Sequence, residues 1–455
     1  LYLLPKRARG AGLWTAFGVL ALETAAAFVD RFAGIDFGAF APLEKLLGFH
    51  LATDGLTQLV VLCTGLVGMT ALLVARRTLE DGHEKFLFAN LVLVAVVGIN
   101  GIAMVRDLFS LYVFVEATAI ATFLLIAAGR GEHALEGAWK YVFLSVVASV
   151  FMLASLGFFL LSTGGITLEA ARTGLAANHP MAWIAVALFL CGLFVKGAMV
   201  PFHGWLPDAY TAAPAPVSVF MAGIVTKASG LFALFRIAQS TLGGAAPGRE
   251  ILLVVGAVTI VAGAFLALTQ TNFKRMLAYS SISQMGYIVL ALGGDLRLGI
   301  LAAGVHFFNH AVSKSQLFAN AAAIERQLGT LDMDEMGGLG ARMPVTAGTT
   351  AVASLSIAGL PPLAGFWSKL LIVLALWNAK EYAFAAVAIL ASLVTLAYFL
   401  SLQRKVFFGK PLEKWSGARE AEAGLLVPAV VLALITIAFG IGFPFALKLL
   451  LGGGA

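Results

Sequence analysis

The sequence of 455 residues is poor in charge and in cysteine. Asp, Glu, Lys and Arg make up 12% of it, whereas a soluble domain carries about 25%. The two cysteines, Cys63 and Cys191, lie in apolar runs, which excludes a disulfide framework and favours small buried side chains. Phosphate loops of the form GxxxxGKS or GxxxxGKT, CxxC pairs and HExxH pairs are also absent, so phosphoryl transfer, iron–sulfur ligation and zinc hydrolysis lack their usual signals.

Hydrophobic residues are abundant instead. They form 60% of the chain, and the mean hydropathy is +0.94. A soluble protein cannot hide this much apolar surface from water, so the composition excludes an ordinary soluble enzyme and a disordered chain. The net charge of +6 is spread over many loops without a dense basic cluster, which argues against a nucleic-acid binder. The composition therefore predicts an all-α polytopic membrane protein.

A membrane-spanning helix needs about 20 mostly apolar residues. Thirteen complete spans are predicted, near 11–30, 56–76, 86–105, 108–128, 138–162, 181–200, 215–240, 251–270, 276–293, 298–323, 345–378, 382–403 and 425–447. Gly359-Leu-Pro-Pro362 interrupts the run 345–378, and a helix broken at membrane depth needs protein or water around its freed backbone groups. The first run has no cleavage signature and is not read as a signal peptide. Leu1 to Pro5 are expected to be the end of a further, truncated helix.

The basic loop residues predict the orientation of these spans. Counted alternately, one side receives Lys6, Arg7, Arg9, Arg76, Arg77, Lys85, Arg130, Lys274, Arg275, Arg326, Arg342, Arg404, Lys405, Lys410, Lys414 and Arg419. The other side receives Arg31, Lys45, Arg106, Arg172, Arg249, Arg297, Lys380 and Lys448. The excess of about two to one predicts that the first side is cytoplasmic and that the C-terminus lies outside an inner (plasma) membrane. The longest loop, around 404–424, is read as an amphipathic or lateral element at most.

Several charged residues fall inside the apolar runs. A lysine at the centre of a bilayer costs about 2.5–3.5 kcal/mol on insertion scales, so a polar interior shielded from lipid is predicted. The residues concerned are Lys140, Lys196, Lys227, Lys314, Lys369 and Glu116, with Glu23 in a less unusual context. For Glu23 a structural role is favoured, and for Lys140 and Lys314 snorkelling or a structural pair is the alternative. Arg236 lies near a predicted helix end, from which it could snorkel.

This set of residues favours proton transfer. Burial disfavours a charged lysine while a nearby carboxylate favours it, so a Glu–Lys pair that forms and breaks would switch the lysine between keeping and releasing its proton. His203, His306 and His310 titrate near neutral pH and can relay protons between lysines. His306 and His310 are four residues apart, hence on one helix face, which Lys314 extends. A metal site or a packed polar core is the alternative for this face, and without a carboxylate or thiol ligand nearby the metal site is not favoured.

Three segments make the sequence resemble a known family. They are Val195-Lys-Gly-Ala-Met-Val-Pro-Phe-His-Gly-Trp-Leu-Pro-Asp-Ala-Tyr-Thr-Ala-Ala-Pro-Ala-Pro-Val-Ser218, Leu268-Thr-Gln-Thr-Asn-Phe-Lys-Arg-Met-Leu-Ala-Tyr-Ser-Ser-Ile-Ser-Gln-Met-Gly286 and Ala358-Gly-Leu-Pro-Pro-Leu-Ala-Gly-Phe-Trp-Ser-Lys369. The chain resembles the antiporter-like, proton-conducting subunits of respiratory complex I, group 4 membrane-bound hydrogenases and Mrp-type cation/proton antiporters. The resemblance implies about 14 transmembrane helices, the first truncated here, with two inverted five-helix repeats and broken helices. Residues 1–455 would form one transmembrane domain, with repeats at about 86–240 and 251–403 and a C-terminal helix at 425–447.

The resemblance also implies residue roles. Glu116 matches the glutamate of the family's fifth helix, Lys196 its partner on the seventh, Lys227 the next relay lysine, and Lys369 the terminal residue of the twelfth helix. His306, His310, Lys314, Lys140 and His203 are further expected relay residues, and no metal is expected. Gln316 stands where an apolar residue is more usual in the family.

Two functions follow from the resemblance. The first is a proton-translocating subunit of a redox-driven complex, either complex I-like or hydrogenase-like, with other membrane subunits and a peripheral redox arm as partners. The alternative is a subunit of a stand-alone Mrp-type Na⁺/H⁺ antiporter. Because no flavin, quinone or cluster motif is present, no cofactor is expected in this chain and the redox chemistry would belong to a partner. The segments 333–344 and 403–409 resemble hydrogenase-type and Mrp-type members more than complex I members.

Overall fold

A computed structural model of the protein describes residues 11–33, 51–129, 131–238 and 246–452. These residues are almost entirely helical, and the extended pairing within them consists of isolated bridges such as Asn272 with Asp332. The predicted helix stub at Leu1 to Pro5 lies outside the described residues. The chain divides between Ile251 and Leu252 into two compact units.

The first unit contains nine helices among its described residues. They are α1 (Gly12–Ala33), α2 (Gly55–Thr78), α3 (Gly82–Met104), α4 (Leu108–Ala127), α5 (Glu132–Thr163), α6 (Leu168–Ala176), α7 (Pro180–Lys196), α8 (Trp205–Ala212) and α9 (Ala215–Ile237). Helices α2, α3 and α4 each begin at an aspartate whose side chain accepts a hydrogen bond from the first turn, which is the usual way to satisfy the exposed N–H groups there.

The second unit follows the start of α10. Its helices are α10 (Ala246–Leu268), α11 (Phe273–Leu292), α12 (Leu296–Leu328), α13 (Pro344–Ala358), α14 (Ala364–Asn378), α15 (Tyr382–Val406) and α16 (Ala423–Gly452). The segment between α15 and α16 contains one short 3₁₀ turn, Glu413–Trp415. It packs against the start of α13, where the Glu420 carboxylate accepts hydrogen bonds from the Val345 N–H (2.7 Å) and the Thr346 hydroxyl (2.6 Å).

Length and apolar composition let nine of the described helices cross a membrane, namely α1–α5, α9, α10, α15 and α16. Three shorter apolar helices, α7, α13 and α14, accompany them. The predicted all-α polytopic membrane fold is therefore confirmed, whereas the count of fourteen spans and the repeat boundaries stay predictions. The short helix α6 was not predicted from the sequence.

Two of the predicted spans are interrupted. Helix α7 ends at Lys196, and a 3₁₀ turn at Phe202–Gly204 separates it from α8, so the predicted span 181–200 is too long at its end. Helix α13 ends at Ala358 and is capped by Gly359, whose φ of +92° only glycine adopts readily, and α14 begins at Ala364. The predicted interruption at Pro361 and Pro362 is confirmed.

Each unit encloses helices that are buried on every side. In the first unit α9 is of this kind, since its apolar window is wholly buried. In the second, α11 is buried continuously from Ser280 to Leu292 and α12 from Ala302 to Ile324. A helix apolar all round is normally buried, but α12 carries His, Lys, Asn, Gln and Ser side chains at its centre. These polar groups must therefore be satisfied by neighbouring helices or water.

Candidate functional site

The first charged site joins Glu116 and Lys196. The Lys196 ammonium lies 2.7 Å from the Glu116 carboxylate, and 1% of the lysine side chain and 25% of the glutamate side chain are exposed. Lys196 also donates to the Ser145 hydroxyl (2.5 Å), and the Ser149 hydroxyl donates to Glu116 (2.7 Å). The predicted Glu–Lys pair is thus formed, with a hydroxyl beside each charge.

Three helices build this site. Glu116 is in the middle of α4, Lys196 is the last residue of α7, and Ser145 and Ser149 are four residues apart on α5 and so share one face. Because α7 ends at Lys196, the ion pair lies beside the point where the helix is interrupted. A charge-assisted hydrogen bond in such an apolar setting is stronger than one in water.

Lys227 lies on the buried helix α9, in a stretch wound as a π-helix. Its ammonium donates to the backbone carbonyls of Ala222 and of Gly223, the latter at 2.9 Å. Helix α9 approaches the break after Lys196 closely, because a Cβ on Gly230 would lie 2.4 Å from the Gly197 Cα. π-Helical turns within an α-helix are rare and are frequently found at functional sites.

Lys140 is differently placed from the other lysines of the first unit. It lies near the start of α5, its side chain is 42% exposed, and it binds the carboxylates of Asp208 (2.6 Å) and Glu136 (2.7 Å). His203 lies half-buried in the 3₁₀ turn between α7 and α8. Lys140 therefore belongs to a partly exposed ion-pair cluster rather than to the buried pair.

The second unit places His306, His310 and Lys314 along one face of α12, as predicted. The two imidazole rings stack with centroids 6.2 Å apart, and His306 Nδ1 lies 2.9 Å from the Ser368 hydroxyl of α14. Lys314 donates to the Leu277 carbonyl of α11 (2.9 Å) and to the Ser280 hydroxyl.

Lys369 follows the break between α13 and α14. Its ammonium donates to the carbonyl of Ala358, the last residue of α13, at 3.4 Å, and lies 4.5 Å from the centre of the Tyr287 ring. The same ring lies 5.7 Å from that of His306. Tyr287 therefore touches both Lys369 and the histidine face, and the broken helix supplies a carbonyl to the lysine.

Two basic residues are not where the sequence predicted them. Arg236 does not snorkel. Its guanidinium is buried and binds both carboxylate oxygens of Asp54, at 2.5 and 3.0 Å. Burial raises the pKa of Asp54, but Arg236, the Thr57 N–H and Arg106 together outweigh it and hold that pKa at about 2. Lys274, assigned to a loop, lies in the first turn of α11 with 3% of its side chain exposed, and it pairs with Glu325 at 3.0 Å.

Sequence reasoning missed the neutral residues that line these sites. They are Ser145, Ser149, Ser280, Tyr287 and Ser368, together with Asp208 beside Lys140. Hydroxyls recurring at helical spacing inside apolar runs are the signal that could have found them, as at Ser145 and Ser149. Glu23 accepts a hydrogen bond from Asn100 (2.8 Å), in keeping with the structural role favoured for it. Gln316, the departure from the family pattern, donates to the Thr349 carbonyl of α13 (2.7 Å).

Over the four described ranges, His, Cys, Asp and Glu nowhere gather in threes around a common point that could hold a metal ion.

The fold and these sites define a class of protein. It is a polytopic helical membrane protein with buried lysines, histidines and a glutamate among its helices. The family described as "NADH:quinone oxidoreductase/Mrp antiporter, TM" matches residues 105–395. The chain belongs to this family of antiporter-like membrane subunits.

Individual relatives come from several kinds of complex. NADH-quinone oxidoreductase subunit N of Desulforudis audaxviator is 34% identical over 87% of this chain and 82% of its own length. A chain of the Mrp complex from a Dietzia species has a TM-score of 0.87 at 25% identity, covering 97% of this chain and 92% of that one. A chain of an archaeal respiratory complex, the membrane-bound sulfane sulfur reductase, has a TM-score of 0.84 at 30% identity, covering 94% and 89%.

Proposed function

We propose that the chain is a proton-translocating, antiporter-like subunit of a multisubunit redox-driven membrane complex, either complex I-like or group 4 hydrogenase-like. The observation that carries this proposal is the Glu116–Lys196 pair, a lysine of 1% exposure held by a carboxylate between apolar helices. A single buried charge is expensive in a membrane, and ionisable residues there mark ion or proton paths.

The pair acts as a switch in this proposal. While the carboxylate stays within 2.7 Å, the ammonium of Lys196 is favoured and the proton is kept. Movement of Glu116 away leaves a charged amine in an apolar site, which favours release of the proton to a neighbouring acceptor. Lys227, the face of His306, His310 and Lys314, and Lys369 are the further relay residues of this proposal. Lys140 and His203 are assigned to the same relay.

Partners supply the driving force. We infer that other membrane subunits pack against this chain and that a peripheral redox arm holds the electron carriers, since no cofactor-binding motif is present in this sequence. The proposed location is the plasma membrane, with the C-terminus outside. The relatives in NADH-quinone oxidoreductase and in the sulfane sulfur reductase support a place in a redox-driven complex.

A subunit of a stand-alone Mrp-type Na⁺/H⁺ antiporter is the second candidate. The likeness to the Mrp chain, with its TM-score of 0.87, favours it. The same Glu–Lys pair would then serve proton movement driven by an ion gradient instead of by electrons.

Purification of the tagged chain from its native membranes separates the two candidates. A flavoprotein, an iron–sulfur protein or a nickel–iron subunit in the complex supports the redox assignment, and small membrane subunits alone support the antiporter. Proton uptake by vesicles containing the complex is then measured with an electron donor or with a Na⁺ gradient. Absence of proton movement under both conditions would overturn proton translocation itself.

A further inference from the structure

A second ion pair with a buried lysine lies outside the predicted relay. Lys274 on α11 and Glu325 on α12 are 3.0 Å apart, and the exposed fractions of their side chains are 3% and 41%. The Glu116–Lys196 pair has the same character, with a lysine hidden from solvent and a carboxylate partly open to it. The neighbouring pairs Lys405–Asp334 and Lys414–Glu335 differ, because their lysines are 32% and 49% exposed.

The hidden lysine is on the helix that a relay residue contacts. Lys314 donates to the carbonyl of Leu277, which follows Lys274 by three residues on α11. One turn of α11, about 5 Å along its axis, therefore separates the attachment point of Lys274 from the carbonyl that Lys314 contacts. The hydroxyls of Ser280 and Ser281 donate to the same carbonyl, at 2.9 and 3.0 Å, so polar groups surround the end of the Lys314 side chain.

Helix α12 brings the other partner to the same side. Glu325 follows Lys314 by eleven residues, which is close to three full helical turns, so both side chains leave α12 in nearly the same direction. The exposed end is thus the Glu325 carboxylate, followed by the buried Lys274 and then by Lys314 with the serine hydroxyls beside it. Lys314 in turn shares its helix face with His310 and His306.

We propose that Glu325 and Lys274 form a proton-entry pair that loads Lys314 from the side of the membrane where α11 begins. The inference deepens the proposed proton translocation and rests on it.

A proton from the aqueous phase binds the Glu325 carboxylate and neutralises it, so the Lys274 ammonium loses its counter-charge. The unpaired ammonium gives its proton inward to a neutral Lys314, through the serine hydroxyls or water. The neutral Lys274 amine then takes the proton of the Glu325 carboxylic acid, which restores the ion pair. One proton has moved from water to Lys314 and nothing else has changed.

Glu325→Gln and Lys274→Arg test this entry in the purified complex, reconstituted in vesicles at equal assembly. We expect each to slow proton uptake by at least about tenfold. Arginine keeps the ion pair, and so any structural anchoring, but it cannot release its proton. Asp334→Asn is the matched control, since Asp334 pairs with a lysine on the same side of this unit, and it should leave uptake unchanged.

Rescue by a small acid separates proton transfer from anchoring. Azide or formate, added to the side where α11 begins, should restore uptake in Glu325→Gln, with the same acid on wild-type vesicles as the reference. Normal uptake in Lys274→Arg would contradict the proposal. So would a loss of uptake in Glu325→Gln that neither acid relieves, because the ion pair would then have a structural role only. If wild-type vesicles take up no protons, the proposed function fails instead of the entry pair.

Discussion

Glutamine has nearly the volume of glutamate but no charge, so Glu116→Gln removes the switch without opening a cavity. We expect the complex to assemble and proton translocation to fall by at least about tenfold, because the amide cannot hold Lys196 as a cation at 2.7 Å. Translocation by vesicles of the assembled complex is the measurement. Glu169→Gln is the matched control, since Glu169 lies 77% exposed on α6, and wild-type translocation in Glu116→Gln would refute the switch.

Lys227 offers a test of whether its charge must change. Its ammonium is buried and bound to the carbonyls of Ala222 and Gly223. To pass a proton on, it must become a neutral amine. Arginine stays protonated in proteins. We expect Lys227→Arg to impair translocation about as much as Lys227→Ala at equal assembly. If Lys227→Arg pumps normally while Lys227→Ala fails, the residue is a fixed counter-charge and the relay bypasses it.

The sequence predicted the charged residues of the sites better than it predicted their partners. Glu116, Lys196 and Lys369 stand out because a charge within an apolar run is conspicuous. Lys274 and Arg236 were misjudged, because whether a basic residue near a helix end is buried depends on a carboxylate far away in the chain. Asp54 is 182 residues from Arg236, and no window along the sequence contains both.

The contact between α9 and the break of α7 depends on glycine. A Cβ on Gly230 would lie 2.4 Å from the Gly197 Cα and 3.0 Å from the Lys196 carbonyl carbon. These are backbone atoms, which cannot avoid the clash by a change of rotamer. We therefore expect Gly230→Ala to push α9 away from Lys196. The apparent melting temperature of the complex should fall, with a loss of about 1–3 kcal/mol from overpacking.

Gly157→Ala on α5 is the control for that substitution, because a Cβ there has open space around it. Alanine favours a helix over glycine by about 1 kcal/mol, so the control should be neutral or stabilising. Equal melting temperatures for Gly230→Ala and the wild type would show that α9 can move at no cost.

The broken helix α13–α14 predicts bound water. Lys369 reaches the Ala358 carbonyl at the end of α13, and the turn at Pro361 and Pro362 leaves further backbone groups without helical partners. We expect ordered water beside Lys369 in a density map resolved well enough to show it. A dry, fully packed break would remove the physical reason for assigning proton exit to this lysine.

The two broken helices show how far element prediction reaches. Pro361 and Pro362 signalled the break of α13–α14, because proline cannot continue a helical hydrogen-bond ladder. The end of α7 at Lys196 gave no such signal within the apolar run, and Pro201 follows five residues later. Helix α6 was missed because it is short and only partly apolar, although Thr167 caps its start.

The orientation of the chain follows from all its loops together, and labelling can test it. Cysteine at Ser416, between α15 and α16, is expected to face the cytoplasm, and cysteine at Thr173 on α6 is expected to face outside. In a variant without Cys63 and Cys191, an impermeant thiol reagent added to intact cells should label Thr173→Cys and spare Ser416→Cys. The opposite pattern would invert the topology.

The polarity of α12 bears on how the protein is made. Neither α11 nor α12 is among the described helices that are apolar enough to cross a bilayer by themselves, and α12 carries Lys314 at its centre. Its polar groups contact α11, α13 and α14, and the last two are synthesised after it. Biogenesis of this hairpin is therefore expected to be delayed, with the translocon retaining it until the later helices emerge. A nascent chain arrested just after Leu328 should leave the hairpin outside the lipid.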